Sequence, residues 1–191
     1  MQKAADFQKK CLEKLISTHH NNWKYKFLVW IAWEENVSSF CNEFWISELD
    51  VFAQQWKDLW QIMSHALAYW HSITRTTCLI GSDVPVLTIN QVYTSLRGLD
   101  HHDVVVGPSD DGWYYLIGST KPIDDILLWM TYSTSTVCEE TLNRAKQYGH
   151  TTSIQPSMID IDTLKSLREA IRQDSTDRIK NIAHQLQINV D

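Results

Sequence analysis

Glycine is scarce in this chain, 6 of 191 residues, where a usual share of about 7% would supply about 13. Proteins that cradle phosphates with their backbone use glycine to permit the close approach. Neither a P-loop nor a Gly-x-Gly-x-x-Gly fingerprint is present. Cysteine is limited to Cys11, Cys41, Cys78 and Cys138, far apart and without a Cys-x-x-Cys pair. That spacing argues against a zinc site or a disulfide framework and fits reduced thiols in a cytosol. Basic residues are outnumbered, 17 Lys and Arg against 23 Asp and Glu, for a net charge of −6. A broad phosphate-backbone binder needs a basic stripe, so nucleic acid is not an expected partner. The longest purely apolar run, Phe27 to Trp33, is far short of the ~20 residues of a membrane span. Met1-Gln-Lys-Ala-Ala-Asp6 has no apolar signal core, and the expected location is the cytoplasm.

What is present is a globular composition, 43% hydrophobic and 21% charged, sized for one domain over residues 1–191. Nine tryptophans stand out, three of them at Trp56, Trp60 and Trp70; such a cluster is more often core than a base-stacking platform. Apolar spacing predicts helices over Ala4–Ile16 and Leu59–Trp70, and strands over Tyr25–Trp33, Thr76–Ile80, Val104–Val106, Trp113–Ile117 and Thr152–Ile154. Val37–Phe52 is ambiguous and reads best as helix. Thr88-x-x-Gln91 and Thr136-x-x-Glu139 have the form of capping boxes opening further helices, ending near Leu99 and before Gly149. Leu164–Leu186 reads as a helical tail with a break near Asp174-Ser175. Strands separated by helices imply crossover units and a three-layer α/β fold with a mostly parallel sheet.

Ligands of open α/β sheets bind beyond the carboxyl ends of the strands. Asp83 stands there, after Cys78-Leu79-Ile80, where a carboxylate can hold a hard divalent cation. The competing reading is a turn in which the carboxylate bonds backbone amides. In Asp160-Ile161-Asp162, an extended backbone puts both carboxylates on one side; alternatively Asp162 only caps the helix that follows, worth about 1 kcal/mol. Asp110-Asp111-Gly112 suits a tight hairpin as well as a site loop. Tyr132-Ser133-Thr134-Ser135-Thr136 offers hydroxyls that a helix start largely explains. The histidines, including His19-His20 and His101-His102, lack metal-pair spacing and read as surface groups.

Taken in order, Leu79-Ile-Gly-Ser-Asp-Val-Pro-Val-Leu-Thr88, Asp103-Val-Val-Val-Gly-Pro-Ser-Asp-Asp-Gly-Trp-Tyr-Tyr-Leu-Ile-Gly118, Tyr132-Ser-Thr134 and Asp160-Ile-Asp-Thr163 resemble the rSAM/selenodomain-associated transferase family. These GT-A-like proteins are also called arsenosugar-biosynthesis glycosyltransferases. The match is dense from about Gln55 to Leu164, leaving residues 165–191 as a tail. The resemblance implies a Rossmann-like GT-A fold with Mg²⁺ or Mn²⁺ under a nucleotide diphosphate. It makes Asp83 the metal-binding aspartate, Asp162 a second metal ligand, and Asp111 the catalytic carboxylate near the acceptor. Ser82 and Asp83 would meet the nucleotide. So would Asp58, in Gln55-Trp-Lys-Asp-Leu-Trp-Gln-Ile-Met63, which is similar to the family's Gln-x-Gly-x-Asp-Leu-Gly-x-Arg-Met.

Some family features differ. The family begins with a strand and a Lys/Pro/Gly-rich loop ending in Lys-Thr-Arg; nothing before Tyr25 matches them, so an N-terminally truncated fold is expected. Trp60 and Trp113 stand where the family has glycine, and Tyr132 where it often has Trp. The resemblance implies transfer from a nucleotide-diphospho-sugar donor to a small-molecule acceptor. The alternatives are a catalytically silent relative serving as a binding or structural module, and a nucleotidyltransferase releasing pyrophosphate. Homo-oligomer formation stays open.

Overall fold

The computed structural model describes residues 2–32, 36–54, 58–132, 134–174 and 177–190. In chain order its elements are α1 (Gln2–His19), β1 (Val29–Ala32), α2 (Val37–Phe44), β2 (Val51–Gln54), α3 (Leu59–His71), β3 (Thr77–Ile80), α4 (Ile89–Gly98), β4 (Val104–Pro108), β5 (Tyr114–Ser119), α5 (Asp124–Leu127), α6 (Val137–Gln147), β6 (Thr152–Ile154), α7 (Leu164–Gln173) and α8 (Arg178–Gln185). The ambiguous Val37–Phe52 stretch is not one helix. It divides into α2, a 3₁₀ turn over Glu48–Asp50 capped by Ser47, and the beginning of β2.

The strands form two sheets. β1 and β2 pair in parallel, with Val29 opposite Val51 and Ala32 opposite Gln54. The other sheet has the order β3-β5-β4-β6. β4 and β6 are parallel, whereas β5 is antiparallel to both β3 and β4. The sheet is therefore mixed, with β5 alone reversed. Only residues 109–113 join β4 to β5, enough for a hairpin but too few for the crossover that parallel neighbours require. Residues 2–19 supply a helix rather than a strand.

Side-chain alternation along β4 builds the layers. Val104 and Val106 turn toward a cluster with Met63 and Leu67 of α3, Ile126 and Leu127 of α5 and Ala145 of α6. Val105 turns to the other side, with Leu15 of α1, Val92 of α4, and Val84 and Leu87 of the β3–α4 connection. Helices thus cover both faces, as the period-two pattern demands. Behind the end of the sheet, α7 and α8 bury Leu167, Ala170, Ile179 and Ala183 against Phe7 and Cys11 of α1. Thr88 forms its capping box, accepting from the Gln91 amide while the Gln91 side chain accepts from the Thr88 amide at 2.9 Å. Thr136 does not cap α6; its hydroxyl pairs with that of Thr134 at 3.0 Å instead.

Trp60 packs on Trp129, while Trp70 packs on Trp30 and Phe52, so these two tryptophans serve different contacts. Trp33, Trp56, Ser133 and Ser175, named in the sequence reading, lie outside the described residues. The expectation of surface histidines also needs correction. His19 is fully buried, His71 bonds the Ser119 hydroxyl at 2.8 Å, and the His150 side chain, 5% exposed, bonds Asp125 at 2.9 Å.

Candidate functional site

β3 ends at Ile80, and the Gly81 amide extends its pairing by donating to the Tyr115 carbonyl at 2.8 Å. The chain then leaves the carboxyl end of the strand and presents Asp83. A Cβ on Gly81 would lie 2.7 Å from Asp83 Oδ1, so glycine leaves that carboxylate its space. The loop beyond is pinned by Val84 and Leu87, both essentially inaccessible. The Asp83 carbonyl accepts from the Ile161 amide at 3.2 Å, which ties this loop to the segment after β6.

That segment alternates as its sequence suggests. Ile161 is 6% exposed and packs among Leu167, Ala170 and Ile179, leaving Asp160 and Asp162 on the opposite side. Thr163, not Asp162, caps α7: its hydroxyl accepts from the Ser166 amide at 3.0 Å, and Ser166 Oγ accepts from the amides of Thr163 and Asp162. The Asp162 carboxylate is thereby not used in the cap. Asp83, Asp160 and Asp162 each bring a carboxylate oxygen within 4.8 Å of the others.

The β4–β5 hairpin supplies a fourth carboxylate. Ser109 N donates to Trp113 O at 3.0 Å, and Gly112 takes φ +93° to close the turn. Any Cβ at Gly112 would fall 1.8 Å from the Ser135 carbonyl, because the segment before α6 lies against it. Asp111 Oδ1 accepts from the Ser109 hydroxyl at 2.7 Å and the Trp113 amide at 2.9 Å. A parallel bridge from Ser109 to Met158 holds this turn beside the segment leading to Asp160. Asp110-Asp111-Gly112 is therefore both a hairpin turn and part of the site.

These groups border a cavity of about 510 Å³. One side is acidic, with Asp83, Asp111, Asp160 and Asp162; the other is apolar, with Leu59, Met63, Leu79, Trp113 and Tyr114 among its residues. Burial, reinforced by the neighbouring Asp111, Asp162 and Asp83, pushes the Asp160 carboxyl up to about 6. Burial also raises Asp83, with Asp162 and Asp111 adding to the effect. Crowded carboxylates resist ionising together, and a bound divalent cation relieves that repulsion. Oxygen-only donors match Mg²⁺ or Mn²⁺ rather than a softer ion, so the residues present fit such an ion.

A family model described as "Uncharacterized protein conserved in bacteria (DUF2064)" matches residues 19–134. The chain belongs to this family. No curated protein matches the DUF2064 chain. Its fold is similar to that in a crystal structure of a candidate nucleotide-diphospho-sugar transferase from Desulfovibrio desulfuricans G20. The TM-score is 0.84 at 23% identity, covering 100% of this chain and 88% of that one.

Of the residues singled out in the DUF2064 sequence, Ser82, Asp83, Asp111 and Asp162 meet at the cavity. Asp58 does not line it; it stands exposed at the start of α3, one residue before Leu59, which does. Asp160 belongs with the metal-ligand candidates, although the resemblance pointed only to Asp83 and Asp162. Its signal was the period-two pairing with Asp162 across Ile161. Trp113 borders the cavity and rests on Tyr132, with ring centroids 5.7 Å apart.

Proposed function

We propose that the DUF2064 chain is a divalent-cation-dependent transferase that takes its donor as a nucleotide-diphospho-sugar. The observation that carries this reading is the meeting of Asp83, Asp160 and Asp162 at the carboxyl end of the sheet, on the wall of a cavity. The similarity of fold to the candidate sugar transferase and the ordered motif resemblance support the choice of donor. The three aspartates would hold Mg²⁺ or Mn²⁺. When bound, such an ion supplies electrostatic stabilisation of the negative charge that develops on a leaving diphosphate.

The remaining roles fall to the chain's own groups. Ser82, beside Asp83, offers a hydroxyl to the donor phosphates. Asp111, held through one oxygen by Ser109 and Trp113, would accept the proton of an acceptor hydroxyl. Its fixed hairpin keeps that carboxylate aimed without further ordering at the moment of reaction. Trp113 and Tyr114 exclude water from the adjoining wall.

Thermal unfolding against UDP, GDP, CDP and their sugar conjugates, with and without Mn²⁺, tests the reading. A ligand at 100 times its dissociation constant stabilises by about 2.7 kcal/mol, or about 5–10 °C for a chain of this size. A Mn²⁺-dependent shift with one nucleotide, lost in Asp83→Asn, is expected. No shift with any of them, in a protein that melts cooperatively, would replace this reading with that of a silent relative.

A further inference from the structure

His19, the last residue of α1, is completely buried. Its Nε2 lies 3.1 Å from the Leu87 carbonyl, and its Nδ1 lies 2.5 Å from the Tyr25 hydroxyl. Only one tautomer serves both: Nε2–H donates to the carbonyl, and Nδ1 accepts from the phenol. Asn22 fixes the far side of this contact, because its Oδ1 accepts from the amides of Lys24 and Tyr25 at 2.9 and 3.1 Å. The Phe27 ring stacks on the imidazole at 5.7 Å.

The Leu87 carbonyl is the first link of a continuous path into the carboxylate cluster. The Leu87 amide donates to the Val84 carbonyl at 3.0 Å, and Val84 follows Asp83. The Asp83 carbonyl accepts from the Ile161 amide at 3.2 Å, and Ile161 lies between Asp160 and Asp162. The partners at the two ends of the first bond are 68 residues apart in sequence. α1 therefore grips the Asp83 loop through this histidine.

We propose that His19 is a positioning residue for the three-carboxylate cluster, its neutral imidazole holding the loop that sets Asp83 against Asp160 and Asp162. This rests on the reading of that cluster as a cation site. Burial lowers His19 from its ordinary value and favours the neutral ring. The titratable group facing it is Tyr25, itself pushed up to about 12 by burial. Nearby charges are engaged elsewhere: His20 and Lys26 pair with Asp50, and Lys24 bonds Asn90. Burial confines protonation to pH values below the ordinary 6.5 of a histidine. Protonation makes Nδ1 a second donor, forces the Tyr25 hydroxyl to turn from donor to acceptor, and puts a positive charge in a buried site, which loosens the loop.

The test uses the full chain as wild type, His19→Gln, His19→Leu and Asp83→Asn. Two readouts apply: Mn²⁺ affinity by electron paramagnetic resonance well below the melting temperature, and hydrogen exchange of the Ile161 amide. Glutamine has both a donor and an acceptor but does not titrate; leucine has neither. His19→Leu should weaken Mn²⁺ binding by about 10- to 100-fold, as removal of a group supporting metal ligands does, with His19→Gln close to wild type. Ile161 protection should fall in the wild type as the pH drops below the ordinary histidine value of about 6.5 and hold steady in His19→Gln. A purely structural histidine would lower the melting temperature of His19→Leu yet leave Mn²⁺ affinity in the folded protein unchanged, which overturns the proposal. Equal pH response of Ile161 in wild type and His19→Gln overturns it as well. Should wild type and Asp83→Asn both fail to bind Mn²⁺, the cation reading falls, and Ile161 exchange alone decides whether His19 holds the loop.

Discussion

Replacing Asp160 by asparagine moves stability and metal binding in opposite directions. The Asp160 carboxyl is displaced from 3.8 to about 6, first by burial and then by the charges of Asp111, Asp162 and Asp83. A carboxyl raised on folding binds its proton more tightly in the native chain than in the unfolded one. Its charged form therefore costs stability at neutral pH; the cost is absent below about pH 4 and complete above about pH 6. Displacement by about two pH units corresponds to roughly 3 kcal/mol, and solvent screening of a partly exposed group reduces the expectation to about 1 kcal/mol. Denaturant unfolding in EDTA at neutral pH should show Asp160→Asn more stable by about 1 kcal/mol, with a melting temperature some 2–4 °C higher. The advantage should vanish near pH 4. With millimolar Mn²⁺ the order should invert, because the wild type gains binding energy that the variant cannot. A variant no more stable than wild type in EDTA, or one stabilised equally by Mn²⁺, would refute the electrostatic account.

Gly81→Ala puts a methyl 2.7 Å from Asp83 Oδ1; the carboxylate can swing away, so the fold should survive, with a melting temperature near wild type, while Mn²⁺ binding weakens in the same titration. Ile161→Ala empties a site that is 6% exposed and should cost about 2–5 kcal/mol by denaturant unfolding, far more than the same change at exposed Leu49. Thr163→Ala removes the α7 cap and should cost about 1 kcal/mol, whereas Asp162→Asn, outside that cap, should not reproduce the loss.

Sequence pattern carried the helices and most strands because their apolar periods are unmixed. Asp160-Ile161-Asp162 shows in sequence the period two that aims its carboxylates, whereas Val104-Val105-Val106 is apolar at every position and its alternation between layers appears only in the fold. β2 was hidden because its four residues follow α2 and a 3₁₀ turn with no glycine or proline to mark the boundaries. The reversal of β5 had a local signal, Asp111-Gly112 between apolar runs, but general α/β alternation pointed to parallel neighbours. Tertiary geometry was not legible at all where partners are distant in sequence. His19 reads as a surface residue until Leu87 and Tyr25 close around it. Likewise, Asp162 could be a cap or a ligand until Thr163 takes the cap.

The most direct measurement is an electron paramagnetic resonance titration of Mn²⁺ into wild type and Asp83→Asn, each with and without UDP, GDP or CDP. Wild type should bind Mn²⁺ and bind it more tightly with one of these diphosphates, as linkage between the two ligands requires. Asp83→Asn should do neither while unfolding as cooperatively as wild type. Free Mn²⁺ throughout the wild-type titration, or identical curves for the two proteins, would contradict a cation-held diphosphate at this site.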